Sequence, residues 1–255
     1  MRFASLGSGS QGNSLIVDAG DTKLLVDCGF STRSTLEKLA RLAVSAEGIT
    51  AVLVTHEHSD HIAGVFKLAG RFGIPVYLTH GTHMTAPRDK LSLSECRLID
   101  SHSSFSIDGL EVHPYPVPHD AREPVQYAFS DGKHRLGVLT DSGSITPHIV
   151  DVLRCCDALV LECNHDPDLL AASDYPMMLK RRVSGSLGHL QNAQAAALLR
   201  QIDTQHLQHI VAAHLSEKNN RPELAARALA SALNCADDWI GVASQNDGFA
   251  WREMM

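Results

Sequence analysis

Histidine and aspartate side chains are concentrated in residues 55–61, whose sequence is THEHSDH. The segment follows directly after a short apolar run that is predicted to be a strand, and we predict a turn there rather than a regular helix. On an extended backbone His56 and His58 point to the same side and can reach one ion, whereas a helix would separate them by about 200°. Asp60 and His61 lie past the turn and can reach a second ion. Neutral imidazoles beside a carboxylate are typical of Zn²⁺-type sites, so the segment predicts metal binding rather than a solvated polar loop.

Three more polar side chains follow predicted strands, and they are candidates for the remaining ligands because one loop cannot fill two coordination spheres. They are His119 in PVPHD, Asp141 in VLTDSG and His214 in VAAHLS. Each alone has an ordinary alternative, since a histidine at a strand end is often a satisfied polar residue and Asp-Ser-Gly is common in turns and helix caps. Considered with residues 55–61, all three are predicted to be ligands.

The elements that must position these side chains alternate between short apolar strands and amphipathic helices. Polar residues at strand ends lie on loops, where a rigid scaffold usually displays functional groups. The pattern predicts a layered α/β or α+β fold. Strands are predicted at 2–6, 15–17, 23–26, 51–54, 76–78, 97–99, 110–115, 125–129, 136–139, 158–162, 210–213, 239–243 and 249–251, and helices at 31–42, 64–72, 193–201 and 222–233.

The composition excludes several classes of protein. The 255 residues include 22 Lys and Arg against 29 Asp and Glu, a net charge of −7, which disfavours charge-driven coating of nucleic acid. No apolar run approaches the roughly 18–20 residues that cross a bilayer, and the start lacks a signal peptide, so no membrane association is expected. Six cysteines without a CxxC pair fit a reduced cytoplasm. A chain of this size can form a core without a structural metal, so a metal site here is expected to serve chemistry.

The His-x-His-x-Asp-His run, with a histidine, an aspartate and a histidine at later strand ends, resembles the metallo-β-lactamase superfamily over nearly the whole chain. The resemblance implies an α+β fold of the αββα four-layer type, with two mixed sheets flanked by helices in a single domain over residues 1–255. It also implies the metal assignments: His56, His58 and His119 for one ion, Asp60, His61 and His214 for the second, and Asp141 bridging the two. Asp27, in LLVDCG, matches a buried carboxylate that supports the ligand loop, although an ordinary strand-end turn is the alternative.

Two positions narrow the reaction that the resemblance implies. Lactamases of this fold usually carry cysteine where Asp141 lies, and the oxygen-reducing di-iron branch has an acidic residue where His58 lies. The expected chemistry is therefore hydrolysis with two divalent cations, Zn²⁺ or Mn²⁺, and a hydroxide that bridges them and that Asp60 orients. Histidine-rich ligation suits Zn²⁺, and the mixed second site tolerates Mn²⁺.

Later segments are similar to the YycJ/WalJ-like branch, whose members are linked to 5′→3′ DNA exonuclease activity, and more distantly to PhnP-type cyclic phosphodiesterases and tRNase Z. They are LECNHD, YPMMLKRR, GHLQN and HLSEKNN. Gln191 departs from the serine expected after Gly-His-Leu. The interval of 22 positions from His119 to Asp141 leaves no room for the large RNA-gripping insert of RNase J-type nucleases. His189 matches a histidine of these relatives and is predicted to protonate the leaving group or donate to the non-bridging oxygens. A helix-capping or surface histidine is the alternative.

Candidate substrate contacts are less specific. The basic run KRR at 180–182 and the loop SGSQGNS at 8–14 could both bind phosphate. A basic run is as often a solvated helix end, and a loop of this kind is as often a plain tight turn. The candidates are Ser8, Ser10, Gln11, Asn13, Asn164, Lys180, Arg181, Arg182 and Ser216. Of the 15 histidines, the nine at positions 80, 83, 102, 113, 134, 148, 165, 206 and 209 are predicted to be surface or packing residues, with His165 held open because it follows a strand end.

The sequence therefore predicts a dinuclear phosphodiester hydrolase, with a 5′→3′ DNA exonuclease as the favoured activity and DNA favoured over RNA as substrate. A small-molecule hydrolase, either a cyclic phosphodiesterase or a glyoxalase II-like thioesterase, is the first alternative. A metal-binding regulatory module without turnover is the second. The pattern leaves the native metal and the oligomeric state open.

Overall fold

Two seven-stranded β-sheets form the centre of the protein in a computed structural model that describes residues 1–86 and 95–255. The first sheet has the strand order β14-β1-β2-β3-β4-β5-β6, and the second β13-β12-β11-β10-β9-β8-β7. The strands are β1 Arg2–Gly7, β2 Ser14–Ala19, β3 Thr22–Val26, β4 Ala51–Leu53, β5 Val76–Thr79, β6 Cys96–Ile99, β7 Phe105–Ile107, β8 Leu110–Pro116, β9 Val125–Ser130, β10 Arg135–Leu139, β11 Ala158–Glu162, β12 His209–Ala213, β13 Gly241–Val242 and β14 Phe249–Glu253.

Helices cover the outer faces of both sheets. The helices are α1 Thr32–Arg41, α2 Ser59–Ile62, α3 Val65–Phe72, α4 His80–Thr85, α5 Pro147–Leu153, α6 Pro167–Ala172, α7 Met177–Val183, α8 Asn192–Leu199 and α9 Pro222–Leu233. Ala46–Gly48 and Asp237–Trp239 are single 3₁₀ turns. Among the described residues, no helix is both long and apolar enough to cross a lipid bilayer.

The four layers follow from strands that are apolar on both faces. Successive side chains of a strand point to opposite faces, so β11 directs Val160 into the cluster between the sheets and Leu161 into the cluster under the helices. On β2, Val17 likewise packs between the sheets and Ile16 packs towards the outer helices. The predicted four-layer sandwich of two mixed sheets is confirmed.

The sheet topology collects several strand ends at one edge. Strands β3 and β4 of the first sheet are parallel, as are β10, β11 and β12 of the second. Strand β8 has the same direction as β10, because each is antiparallel to β9. Parallel strands end at the same edge of a sheet, so the residues after these strands are brought together. Three of them, Asp27, Asp141 and His214, have left-handed backbones with φ of 59°, 48° and 55°.

Some secondary-structure predictions need correction. The predicted strand at 239–243 is shorter than expected. The chain forms a 3₁₀ turn up to Trp239, and only the two residues of β13 pair with β12. The sequence analysis also missed β7 and the short helices α2, α4, α5, α6 and α7. These elements span three to seven residues, which is too short for apolar periodicity to distinguish them from loops.

Candidate metal centre

The ligand loop begins extended after β4, as predicted for His56 and His58, and then enters one turn of helix where a non-helical turn was predicted. His56 and His58 precede α2, and His58 is its N-cap with an extended backbone. Asp60 and His61 lie in the single turn of α2. The loop packs tightly against Gly29, where a β-carbon would come within 1.8 Å of the Asp60 carbonyl oxygen, so only glycine fits that position.

A buried carboxylate, Asp27, fixes two of the loop histidines. Its Oδ1 accepts the backbone N–H of Thr55, and its Oδ2 accepts the Thr55 hydroxyl and His61 Nδ1–H, each at 2.8 Å. The Thr55 hydroxyl has one proton, which goes to Asp27, so its oxygen accepts His56 Nδ1–H at 2.9 Å. Both rings therefore present Nε2 to the centre of the site, in the orientation that a metal ligand needs.

The first group of candidate ligands is His56, His58 and His119, whose ring nitrogens lie within 4.8 Å of one another. His119 donates Nδ1–H to the carbonyl oxygen of Gly188 at 3.1 Å, which leaves its Nε2 only 3.2 Å from His58 Nδ1. Burial lowers the pKa of His56 well below its ordinary value and lowers that of His119. The neutral imidazole is the form that binds a cation.

The second group is Asp60, His61 and His214, with ligand atoms again within 4.8 Å. Asp60 Oδ2 lies 3.5 Å from His61 Nε2 and 3.7 Å from His214 Nε2. Burial disfavours the Asp60 carboxylate, but the hydrogen bonds and charges of the two histidines outweigh it and lower its pKa.

Asp141 lies between the two groups. One carboxylate oxygen is 3.2 Å from His61 Nε2, and the other is 3.9 Å from His119 Nε2. Asp141 is buried, and neighbouring histidine charges, that of His214 first, overcome the effect of burial and lower its pKa well below the ordinary value. The structure thus places the predicted bridging residue within reach of both groups.

Unpartnered atoms in this cluster fit the presence of cations. His56 Nε2, Asp141 Oδ2 and His214 Nε2 are buried without a hydrogen-bond partner among the described residues. Buried polar atoms are rarely left without partners, and all three belong to groups that commonly ligate Zn²⁺ or Mn²⁺. The donor set of imidazoles and carboxylates is therefore suited to divalent metal binding.

Glu162, at the end of β11, is a residue of the candidate site that the sequence analysis missed. It is fully buried, and its Oε1 accepts His189 Nδ1–H at 2.8 Å and His214 Nδ1–H at 3.0 Å. Its Oε2 accepts the backbone N–H groups of Ser142 and Leu190, each at 3.0 Å. Burial disfavours the carboxylate, but the charge and hydrogen bond of His189 outweigh burial and lower the pKa of Glu162 to about 2. The available signal was its position as the last residue of a buried strand, close to the strand-end positions of Asp141 and His214.

His189 lies beside the two ligand groups and forms a further cluster with Asp141, Glu162 and His214, whose possible ligand atoms also lie within 4.8 Å of one another. Its Nδ1 is bound to Glu162, so its Nε2 points away from that carboxylate, and the side chain is 21% exposed in the cleft. The ring centroid lies 5.2 Å from that of His214 and 5.3 Å from that of His119. A histidine in this position can exchange a proton with a bound substrate.

The cleft over the metal centre has a volume of about 360 Å³. Candidate substrate contacts Ser10, Asn164 and Ser216 line it. Asn164 also donates Nδ2–H to the carbonyl oxygen of His214 at 3.0 Å. Arg182 lines the cleft as well and donates to Asp120 at 2.6 Å.

The other candidates in the N-terminal loop lie behind or beside the ligands. Ser8 is buried and accepts the backbone N–H of His214 at 2.8 Å, and the Asn13 amide nitrogen lies 3.1 Å from His61 Nε2. Gln11 donates to Glu217 at 2.8 Å. These contacts link the loop to the metal ligands and to the neighbouring loop.

Replacing Glu162 with glutamine is expected to lower kcat/KM for the predicted hydrolysis about 10- to 100-fold. Both carboxylate oxygens of Glu162 accept N–H groups, and in the variant an amide NH₂, which cannot accept, would take the place of one oxygen. His189 and His214 would both lose their fixed ring orientation, so the divalent metal content should also fall. Steady-state kinetics and elemental analysis measure the two effects. Glu223→Gln, at an exposed position of α9, is the matched control. Equal activity and metal content in both variants would show that Glu162 does not position the site.

Comparison with known proteins gives a consistent result. A family described as beta-lactamase superfamily domain matches residues 22–214. A Bacillus anthracis protein named exodeoxyribonuclease YycJ is 36% identical over 241 residues, covering 91% of this chain and 89% of the relative. A Streptococcus pneumoniae protein named exodeoxyribonuclease WalJ is 32% identical over 246 residues, covering 94% and 91%. The crystal structure of the metallo-beta-lactamase fold protein YhfI from Bacillus subtilis superposes with a TM-score of 0.77 at 19% identity, covering 98% of each chain.

Proposed function

The chain belongs to the metallo-β-lactamase superfamily and, within it, to the family of the YycJ and WalJ exodeoxyribonucleases, and on this premise we propose that it removes nucleotides from the 5′ end of DNA with two divalent cations. The resemblance to this superfamily and branch is thereby confirmed, and the chain is a metal-dependent hydrolase. The observation that carries the proposal is the clustering of seven candidate ligands, four of which line the cleft beside His189. The seven are His56, His58, Asp60, His61, His119, Asp141 and His214, and the four are His58, Asp60, Asp141 and His214.

The metal ligands in this proposal form two sets that share one carboxylate. His56, His58 and His119 would hold one ion, Asp60, His61 and His214 the other, and Asp141 would contact both. Two such cations, Zn²⁺ or Mn²⁺, supply positive charge to the phosphoryl oxygens and make water a nucleophile at neutral pH. Ligands come from loops of both sheets, which supports our assignment of residues 1–255 to one domain.

The residues of the chain orient the reacting groups. Asp60 is partly exposed in the cleft, and its carboxylate would accept a hydrogen bond from the attacking water and hold it in line with the phosphorus atom. The bond from phosphorus to the 3′ oxygen of the terminal nucleotide then breaks. His189 would donate a proton to that oxygen, and Glu162 keeps its ring in the required orientation.

Labelled DNA tests the proposed activity and its polarity. A 5′-labelled oligodeoxynucleotide incubated with the Zn²⁺- or Mn²⁺-loaded protein is expected to release a labelled mononucleotide from the first turnovers. The same DNA labelled at its 3′ end should give a ladder of progressively shorter fragments. An RNA of the same sequence and bis-p-nitrophenyl phosphate are the comparison substrates. Intact DNA with rapid cleavage of the small ester would favour the small-molecule alternative, and no cleavage of any substrate would favour a regulatory module.

A further inference from the structure

A second pocket of about 400 Å³ lies behind α7, on the side of this helix that faces away from the metal centre. Leu179, Arg182 and Val183 of α7 line the metal cleft. Met177 and Ser184 line the second pocket, as do Lys180 and Arg181 of the basic run. The helix is therefore a wall between the two pockets, and it divides the basic side chains between them.

The chemistry of the second pocket differs from that of the protein as a whole. The net charge of the chain is −7, yet the described residues lining this pocket include two cations and no carboxylate. The Arg181 guanidinium makes no hydrogen bond or ion pair within the described ranges, and Lys180 uses one of its three donors on the carbonyl oxygen of Ala171 at 2.6 Å. Both cations thus have donors free for an anion. Four apolar side chains also line the pocket: Pro167, Leu170, Ala171 and Met177.

His165 gives independent support for a ligand. It is 2% exposed and lines the pocket, and within the described part of the chain its buried Nδ1 has no hydrogen-bond partner. It is held in place by a β-bridge to Gln191 and by the backbone N–H of Asn192, which donates to its carbonyl oxygen at 3.0 Å. Gln191 is the N-cap of α8, so the positive end of that helix dipole also lies at the pocket.

The second pocket adjoins the metal cleft through two chain segments. Asn164 lines the cleft and the next residue, His165, lines the pocket. Similarly, His189 lines the cleft and Gln191 lines the pocket. One or two residues of extended chain span about 3–7 Å, which is within the length of a single nucleotide unit. The two pockets therefore lie next to each other, at a spacing comparable to one nucleotide unit.

We propose that the pocket behind α7 binds one 5′-mononucleotide unit, with the phosphate on Lys180 and Arg181 and the base against the apolar lining. The volume lies within the range usual for small-ligand sites, and polar atoms of His165 and Gln194 can bind the base edge. The proposal rests on the proposed nuclease function. The unit is either a neighbouring nucleotide of the substrate strand or the released mononucleotide.

Equilibrium binding to the metal-loaded protein tests this pocket without requiring turnover. The probes are a 5′-phosphorylated oligodeoxynucleotide with non-hydrolysed phosphorothioate linkages and a deoxynucleoside 5′-monophosphate. Arg181→Ala removes a phosphate donor, and Ala171→Trp fills the pocket from an exposed position of α6. Each is expected to weaken binding of the oligonucleotide about tenfold. Lys67→Ala, which removes an exposed cation of α3, should change it less than twofold.

The two probes distinguish the two sources of the nucleotide. If only the oligonucleotide binds more weakly to both pocket variants, the pocket holds a nucleotide of the strand. If binding of the deoxynucleoside monophosphate is weakened equally in both pocket variants, the pocket holds the released product. Affinities equal to those of Lys67→Ala would overturn the proposal. Metal content and melting temperature, measured on every variant, show whether the fold is retained. Cleavage of ordinary DNA by the unchanged protein is assayed separately, and its absence would overturn the nuclease function rather than the pocket.

Discussion

Replacing Asp60 with alanine is expected to lower kcat/KM for DNA by about 10³-fold or more, equivalent to about 4 kcal/mol of transition-state stabilisation. The residue would serve twice, because its carboxylate lies beside His61 and His214 in the second ligand group and is also exposed to the cleft. Its loss would weaken the second cation site and leave the attacking water without an acceptor. The metal content measured by elemental analysis should accordingly fall from about two equivalents per chain towards one.

Two controls separate this effect from general damage. Asp21→Ala removes a carboxylate from the exposed turn between β2 and β3, far along the sheet from the ligand loop, and should leave rate and metal content unchanged. Asp60→Asn keeps the volume and one oxygen, so its metal content should exceed that of the alanine variant while its rate stays low. Undiminished cleavage of DNA and of bis-p-nitrophenyl phosphate by Asp60→Ala would contradict the mechanism.

The clustering of the candidate ligands was predictable from the sequence, because these residues follow strands in a regular way. His56 and His58 are separated by two positions after a strand, and His119, Asp141 and His214 each follow an apolar strand. Parallel strands end at a common edge of the sheet, so residues that follow them come close together although they are far apart in sequence. The strand segments themselves were also predictable, since most are continuous apolar runs buried on both faces.

Glu162 was missed because its role depends on two side chains that only the fold brings to it. Nothing in the segment LECNHD indicates that one carboxylate would accept both His189 and His214. The same limit applies to the basic run at 180–182. Its composition indicates phosphate binding, but only the orientation of α7 shows that Arg182 lines the cleft while Arg181 lines the pocket behind it. Such assignments depend on three-dimensional contacts rather than on residue type or spacing.

Replacing His189 with alanine is expected to lower kcat for DNA about 10²- to 10⁴-fold, the range over which a positioned general acid contributes. The effect should depend on the leaving group. Departure of a sugar 3′ oxygen requires a proton, whereas p-nitrophenolate departs as a stable anion. Turnover of bis-p-nitrophenyl phosphate by the same variant should therefore fall only about tenfold or less.

The difference between the two substrates identifies the role of His189 better than the loss on either one. A residue that only shaped the cleft would affect both rates alike, so equal losses would reassign His189 from proton donor to positioning residue. The exposed His206 provides the control, since His206→Ala removes an imidazole with no contact to the cleft and should alter neither rate. Glu162→Gln should show the same dependence on the leaving group in weaker form, because it disturbs the orientation of His189 while leaving the imidazole in place. If both variants lose more activity on DNA than on the small ester, Glu162 acts through His189. If Glu162→Gln loses the same activity on both substrates, its effect is due to His214 and the second cation site.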